Sequence, residues 1–269
     1  MARSFRSPGK VLRRLRILPQ AVQKLKNWPA FVWNYALGFT PRKPYLLRSG
    51  AKVQIGRAVD HVPLIEIFLR EDYGPIATGS IVLDLGANLG AFSVYAVTAA
   101  PDVVVYAYEP WPEFFQSLKG NLALNGHERA VHCFNYAVAG DAGSRDLHVA
   151  GTDFSFPTLA GSSGPDRLNT QSVLCTTLTE ILETNSLTRV DLLKMDCEGA
   201  EYEILYSTPV SVLRNVTEVR MEYHDLDPDQ RNVRQLKRYM ADAGYALTCE
   251  LPSSPTNGTI WLRRRDAED

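Results

Sequence analysis

Val82-Leu83-Asp84-Leu85-Gly86-Ala87-Asn88-Leu89-Gly90-Ala91-Phe92-Ser93 is followed by Val103-Val104-Val105-Tyr106-Ala107-Tyr108-Glu109. An apolar run empties into a glycine-bearing turn, an amphipathic stretch follows, and a second apolar run closes on one carboxylate. This is the layout of a βαβ unit that binds a nucleoside. Gly86 and Gly90 lack the Cβ that would keep the backbone away from a ligand. Glu109 stands where its carboxylate can accept hydrogen bonds from both ribose hydroxyls.

The turn departs from the dinucleotide fingerprint G-x-G-x-x-G, because Asp84 occupies the place of the first glycine. A carboxylate there suits a cationic ligand better than a pyrophosphate. S-adenosylmethionine carries an ammonium and a sulfonium, so the turn points to a methyl donor. A nicotinamide oxidoreductase is the competing enzyme reading; the missing glycine and the lack of an obvious Tyr-x-x-x-Lys pair speak against it.

Elements alternate around this unit. Strands are expected at 51–55, 81–85, 103–109, 131–138, 172–176, 190–195 and 216–222, with 146–149 as a hairpin partner. Helices are expected at 61–69, 90–99, 113–124, 177–185, 199–206 and 228–243, and a terminal hairpin pairs 244–250 with 258–264. Asn125-Gly126 is a helix-stop pair. Alternating strand and helix predict a parallel sheet covered on both faces, with the hairpin as an antiparallel edge. Residues 150–170 are rich in Gly, Ser, Pro and Thr around Phe154 and Phe156, and read as a lid over the acceptor side or as a surface loop.

A second polar cluster is Lys194-Met195-Asp196-Cys197-Glu198-Gly199-Ala200-Glu201, at the end of an apolar strand. Ligands of open parallel sheets bind beyond the carboxyl ends of strands. Asp196 is therefore expected in the same crevice as Gly86 and Glu109, with Lys194 on the same side of the strand. Met221-Glu222-Tyr223-His224 places further ionisable groups at the end of the next strand.

These segments together resemble the FkbM family of S-adenosylmethionine-dependent methyltransferases. The resemblance rests on the Val82–Gly90 turn, Glu109-Pro110 and the Lys194–Glu201 segment, in order, and spans residues 45 to 264. Cys197 stands where the family often has an aliphatic residue. The resemblance implies a class I, Rossmann-like α/β fold with a seven-stranded sheet whose last strand is antiparallel. It also implies O-methylation of a natural product, sugar or glycan. Asp84, Gly86, Ala87, Asn88, Gly90, Glu109 and Pro110 are the expected donor-binding residues, with Asn135, Tyr136 and Ala137 along the adenine. Asp196 is the first candidate general base, His224 the second, and Lys194 a third catalytic candidate. A variant of this scheme puts Mg or Mn between Asp196, Glu222 and His224.

Bulk properties add limits. The net charge of −1 over 269 residues hides an asymmetry, since the first acid is Asp60. Residues 1–44 read as a basic appendage to a 45–269 catalytic domain. Val11, Leu15, Leu18, Val22 and Leu25 share one helical face, among Arg13, Arg14, Arg16, Lys24 and Lys26, with Pro19 as an interruption. Such a helix docks on its own domain or on a second copy, lies on an anionic membrane as a peripheral anchor, or serves as a transit segment. No nucleic-acid partner is expected, because the domain lacks basic runs interleaved with aromatics. A non-catalytic, membrane-associated binding protein on the same fold is the reading from another class. Four dispersed cysteines fit neither a metal finger nor a disulfide framework. They suit free thiols in the cytoplasm, the expected location.

Overall fold

The computed structural model describes residues 14–150 and 167–267. Val11, Arg13, Phe154 and Phe156 lie outside them, as does the expected lid between its two ends. The chain opens with a 3-10 turn and two helices, α1 (Leu18–Lys24) and α2 (Trp28–Leu37), then a small hairpin of β1 (Tyr45–Leu46) and β2 (Lys52–Val53). Pro19 falls in the first turn of α1, where its missing N–H costs nothing, so it starts the helix and does not break it. A second helical stretch contains α3 (His61–Leu64) and runs on without a break into a wide π-turn over Ile65–Leu69. There the Arg70 N–H donates to the Ile65 carbonyl, five residues back.

The main α/β core follows the expected order. It comprises β3 (Ile81–Leu85), α4 (Ala91–Ala99), β4 (Val104–Tyr108), α5 (Pro112–Asn125) and β5 (Val131–Phe134). Next come β6 (Ala137–Val138), β7 (Gly143–Ala150), β8 (Arg167–Thr176), α6 (Leu178–Thr184), β9 (Val190–Met195), α7 (Glu201–Ser207), α8 (Val210–Leu213) and β10 (Val216–His224). The chain closes with α9 (Val233–Asp242), β11 (Tyr245–Pro252) and β12 (Asn257–Arg264). Local chemistry sets several boundaries. Thr177 and Glu180 form a reciprocal capping box on α6, and Gly126 ends α5 in the left-handed conformation.

Seven strands make one sheet in the order β11-β12-β10-β9-β3-β4-β5, parallel except for β12, which runs antiparallel to both its neighbours. Along β3, Val82 packs with α4 and α5 on one face, while Leu83 and Leu85 pack with α6, α7 and α9 on the other. Covering both faces is what a parallel sheet requires.

Two expectations change here. Residues 131–138 are not one strand: the chain leaves the main sheet after Phe134, and β6 pairs with β8 in a separate three-stranded sheet, β6-β8-β7. The 172–176 strand also belongs to this satellite sheet, as the partner of 146–149.

The expected division at residue 44 does not separate two cores. Ala21, Leu25 and Phe31 are fully buried in the cluster that contains Val82, Phe92 and Val105. Phe31 packs edge-on against Tyr45 and His61. Of the expected stripe Leu25 docks, joined by Ala21, whereas Leu18 and Val22 stay exposed. The helix ends at Lys24, so Leu25 is turned inward by its bridge to Leu47. No helix among the described residues is long and apolar enough to cross a membrane.

Candidate active site

A cavity of about 260 Å³ opens beyond the carboxyl ends of β3, β4, β9 and β10. One end is built by the turn after β3. The Gly86 and Ala87 N–H groups both donate to the Tyr108 carbonyl, which clips this turn to β4. Asn88 takes a positive φ of 53° and donates its N–H to Glu109 Oε2 at 2.7 Å. Glu109 Oε1 accepts the Trp111 N–H at 2.8 Å, and the Asn135 amide donates to the Glu109 and Pro110 carbonyls. Both oxygens of a buried carboxylate are thus anchored, and each keeps a further lone-pair site. Burial raises the Glu109 carboxyl to about 7, against the opposing pull of the two backbone donors.

The two glycines serve different purposes. A Cβ at Gly86 would collide with the Asp196 carbonyl oxygen, so β3 and β9 meet only because position 86 is bare. A Cβ at Gly90 would lie 2.6 Å from the Leu118 side chain, which makes Gly90 a contact between α4 and α5, not a ligand contact. Gly86, Asn88, Glu109, Pro110 and Ala137 line the cavity. Ala87, Gly90 and Tyr136 are not among its lining residues, and Tyr136 is 39% exposed.

Asp84 and Lys194 also turn away from the cavity. Lys194 Nζ lies 3.1 Å from Asp84 Oδ1 and donates to the Gly86 carbonyl at 2.9 Å. Ser93 Oγ donates to the other Asp84 oxygen at 2.7 Å. This buried network joins β3, α4 and β9 directly beneath the turn. Burial alone would lower Lys194, but the Asp84 carboxylate, aided by Asp196, outweighs it and holds the ammonium charged. Asp84 orients the turn and Lys194 braces it. Of the two roles expected for Asp84, contact with a donor ammonium or orientation of the turn, this pairing fits the second, and Lys194, expected as a catalytic candidate, does not line the cavity.

Asp196, Glu222 and His224 line the same cavity, from the ends of the adjacent strands β9 and β10. Asp196 lies 3.9 Å from Lys194 Nζ. Burial and the neighbouring Asp196 charge push Glu222 up to about 10. His224 Nε2 lies 3.8 Å from Glu222, and burial lowers the imidazole. Among the described residues no three His, Cys, Asp or Glu side chains are arranged to hold one metal ion. The expected Mg or Mn site at Asp196, Glu222 and His224 therefore finds no support among the described residues.

Within the Lys194–Glu201 segment, Glu201 is structural. It is fully buried and accepts the Cys197 and Gly199 N–H groups at 2.7 and 2.9 Å, folding the loop that presents Asp196. Glu198 takes a positive φ of 52° and lines the cavity. The four cysteines are free thiols. Among the cavity residues that the sequence reading did not single out is an acid, Glu66, on the π-turn. Burial, together with the Asp196 charge, raises it to about 7. Its signal was a lone acid inside Leu64-Ile65-Glu66-Ile67-Phe68-Leu69.

Residues 84–247 match the family described as the methyltransferase FkbM domain. The methyltransferase sdnD of Sordaria araneosa is 26% identical over 66% of this chain and 78% of its own length. The 31-O-demethyl-FK506 methyltransferase FkbM of Streptomyces tacrolimicus is 26% identical over 55% of this chain and 67% of its own length. Among solved structures, TrmK of M. capricolum in complex with S-adenosylhomocysteine aligns at 10% identity with a TM-score of 0.43, over 80% of this chain and 71% of that one.

Proposed function

The chain belongs to the FkbM methyltransferase family, and on that premise we propose that it moves a methyl group from S-adenosylmethionine to a hydroxyl oxygen of a natural product or sugar. The observation that carries the reading is one continuous cavity lined both by Gly86, Asn88 and Glu109 and by Asp196. The donor set fits the cofactor. Among the described residues, Glu66, Glu109, Asp196, Glu198 and Glu222 line the cavity and no Lys or Arg does, which favours a ligand bearing an ammonium and a sulfonium. When bound, S-adenosylmethionine supplies a methyl carbon made electrophilic by its positive sulfur.

Glu109 would accept the ribose hydroxyls through its remaining lone pairs, and Ala137 would flank the adenine. Gly86 and Asn88 would border the amino-acid end. Asp196 accepts the proton of the acceptor hydroxyl as that oxygen becomes the nucleophile. Lys194 Nζ lies 3.9 Å from the Asp196 carboxylate, and a base within hydrogen-bond reach of the hydroxyl assists its attack. Alignment of the two partners supplies much of the rate in such a displacement. The oxygen as methylated atom is supported by the name of the Streptomyces relative, which specifies a 31-O position in its own substrate.

Calorimetric titration with S-adenosylhomocysteine, with NAD as control, tests the donor. Micromolar binding of the former alone is expected; binding of NAD instead would overturn the reading. Release of S-adenosylhomocysteine with hydroxyl-bearing but not O-methylated acceptors tests the acceptor atom.

A further inference from the structure

The acceptor end of the cavity specifies the charge of what enters it. Glu66, Asp196, Glu198 and Glu222 reach this end beside His224, and Val62 and Pro63 form its apolar edge. Among the described residues, the cations paired with Glu66 and Asp196 are already engaged. Lys194 is buried beneath the turn against Asp84, and Arg70 meets Glu66 at 3.2 Å while pairing also with Asp72.

Four carboxyl groups in so small a space repel one another, and burial adds to the cost of charging them. Glu198 is pushed up to about 8 and Glu222 to about 10, each by burial first and by Asp196 second. Protonation relieves the repulsion when the cavity holds no cation. A positive ligand also relieves it, by attraction to the group and without loss of its negative charge.

The form of that ligand follows from the arrangement of the side chains. No three acidic or imidazole groups among the described residues converge on a point that would hold a metal ion. They are instead spread around the wall of a cavity of about 260 Å³. A dispersed ring of carboxyl groups suits a charge carried on an organic body, with carbon atoms against Val62 and Pro63. A neutral polyol would hydrogen-bond to the same groups but leave their mutual repulsion in place.

We propose that the acceptor is a protonated amine, of the amino-alcohol or amino-sugar class, whose ammonium is held by Glu66 and Glu222 while Asp196 faces the atom to be methylated. This rests on the methyltransferase reading above. Glu66 and Glu222 then act in acceptor binding, Glu66 from the π-turn and Glu222 from the end of β10.

The test uses the full chain saturated with S-adenosylhomocysteine, titrated near neutral pH with matched probes. The pairs are 2-aminocyclohexanol against cyclohexane-1,2-diol, and glucosamine against glucose. The amine of at least one pair should bind about tenfold or more tightly than its neutral match. Glu66→Gln and Glu222→Gln should each erase that preference while leaving S-adenosylhomocysteine affinity within about twofold. Equal binding within both pairs, including no detectable binding of any probe, would overturn the proposal. Stoichiometric binding of Mg²⁺ or Mn²⁺ alone at these glutamates would overturn it as well. Failure of the native chain to bind S-adenosylhomocysteine is a separate result, and would strike the methyl-donor reading itself.

Discussion

Lys194 and Asp84 face each other across neighbouring strands, with Nζ 3.1 Å from Oδ1 and no more than 3% of either side chain exposed. The pair holds the Gly86 carbonyl on one side and reaches Asp196 on the other. It couples the donor end of the cavity to the acceptor end without touching the cavity.

Removing one member of such a pair strands a buried charge. Lys194→Met is expected to cost roughly 3–5 kcal/mol in denaturant unfolding, and the double variant with Asp84→Asn should recover part of that loss. Additive losses would show that the two side chains act independently.

Glu109 is predicted to govern donor affinity through the turn it pins. Glu109→Ala should weaken S-adenosylhomocysteine binding by more than about tenfold. Glu109→Gln should also weaken it, because an amide NH2 would face either the Asn88 or the Trp111 N–H, donor against donor. Calorimetry on both variants checks this; wild-type affinity in the alanine variant would end the ribose assignment.

Asp196→Asn keeps shape and loses basicity. Turnover should fall about 10²- to 10⁴-fold while S-adenosylhomocysteine still binds. Single-turnover kinetics separates the two effects, and an unimpaired Asn variant would move the base elsewhere.

Stability of the ligand-free protein should depend on pH in a defined sense. Glu66 and Glu109 are raised from 4.5 to about 7, so their stabilisation is full below about 4.5 and is lost as pH rises through 7. His61 works in the opposite sense. Burial lowers it to about 4, with Nε2 accepting from the Tyr45 hydroxyl, so its contribution is present above about 6.5 and lost as pH falls through 4. Between pH 6.5 and 8 the carboxyl groups dominate, and the thermal midpoint should fall. Glu66→Gln should flatten that limb; a midpoint rising over the same range would contradict the assignment.

The N-terminal helices are predicted to be part of the folding unit. Phe31→Ala should cost about 3–5 kcal/mol, as for other fully buried aromatics. Deleting residues 1–40 should abolish cooperative unfolding, not merely alter association. A truncated protein with an intact transition would restore the division at residue 44.

Legibility in the sequence followed the range of the interactions involved. The βαβ unit, the helix at 112–125 and the polar strand ends were readable, because periodicity, caps and the positions of β3, β4, β9 and β10 are local or topological facts. Gly86 and Gly90 were picked out correctly as special, but their reasons are contacts with Asp196 and Leu118, more than a hundred and nearly thirty residues away in the chain. Nothing local says whether Asp84 meets a ligand or a lysine. The break at Phe134 depends on β8, which arrives about thirty residues later to claim Ala137 and Val138. Leu25 was read as apolar-facing but Ala21 was hidden, because the stripe assumed an uninterrupted helix, whereas the chain turns at Lys24.

The wide turn at Ile65–Leu69 sets a rotational phase. An α-helix advances about 100° per residue, so loss of one residue there would convert the π-turn to an ordinary one and swing Glu66 by about that angle. One codon deleted, with no change of charge or hydropathy elsewhere, would take an acid off the cavity wall while leaving the donor end untouched. Related chains could therefore differ in what they accept by the presence or absence of a single residue, and length polymorphism at this turn is a more telling comparison than identity of the side chains around it.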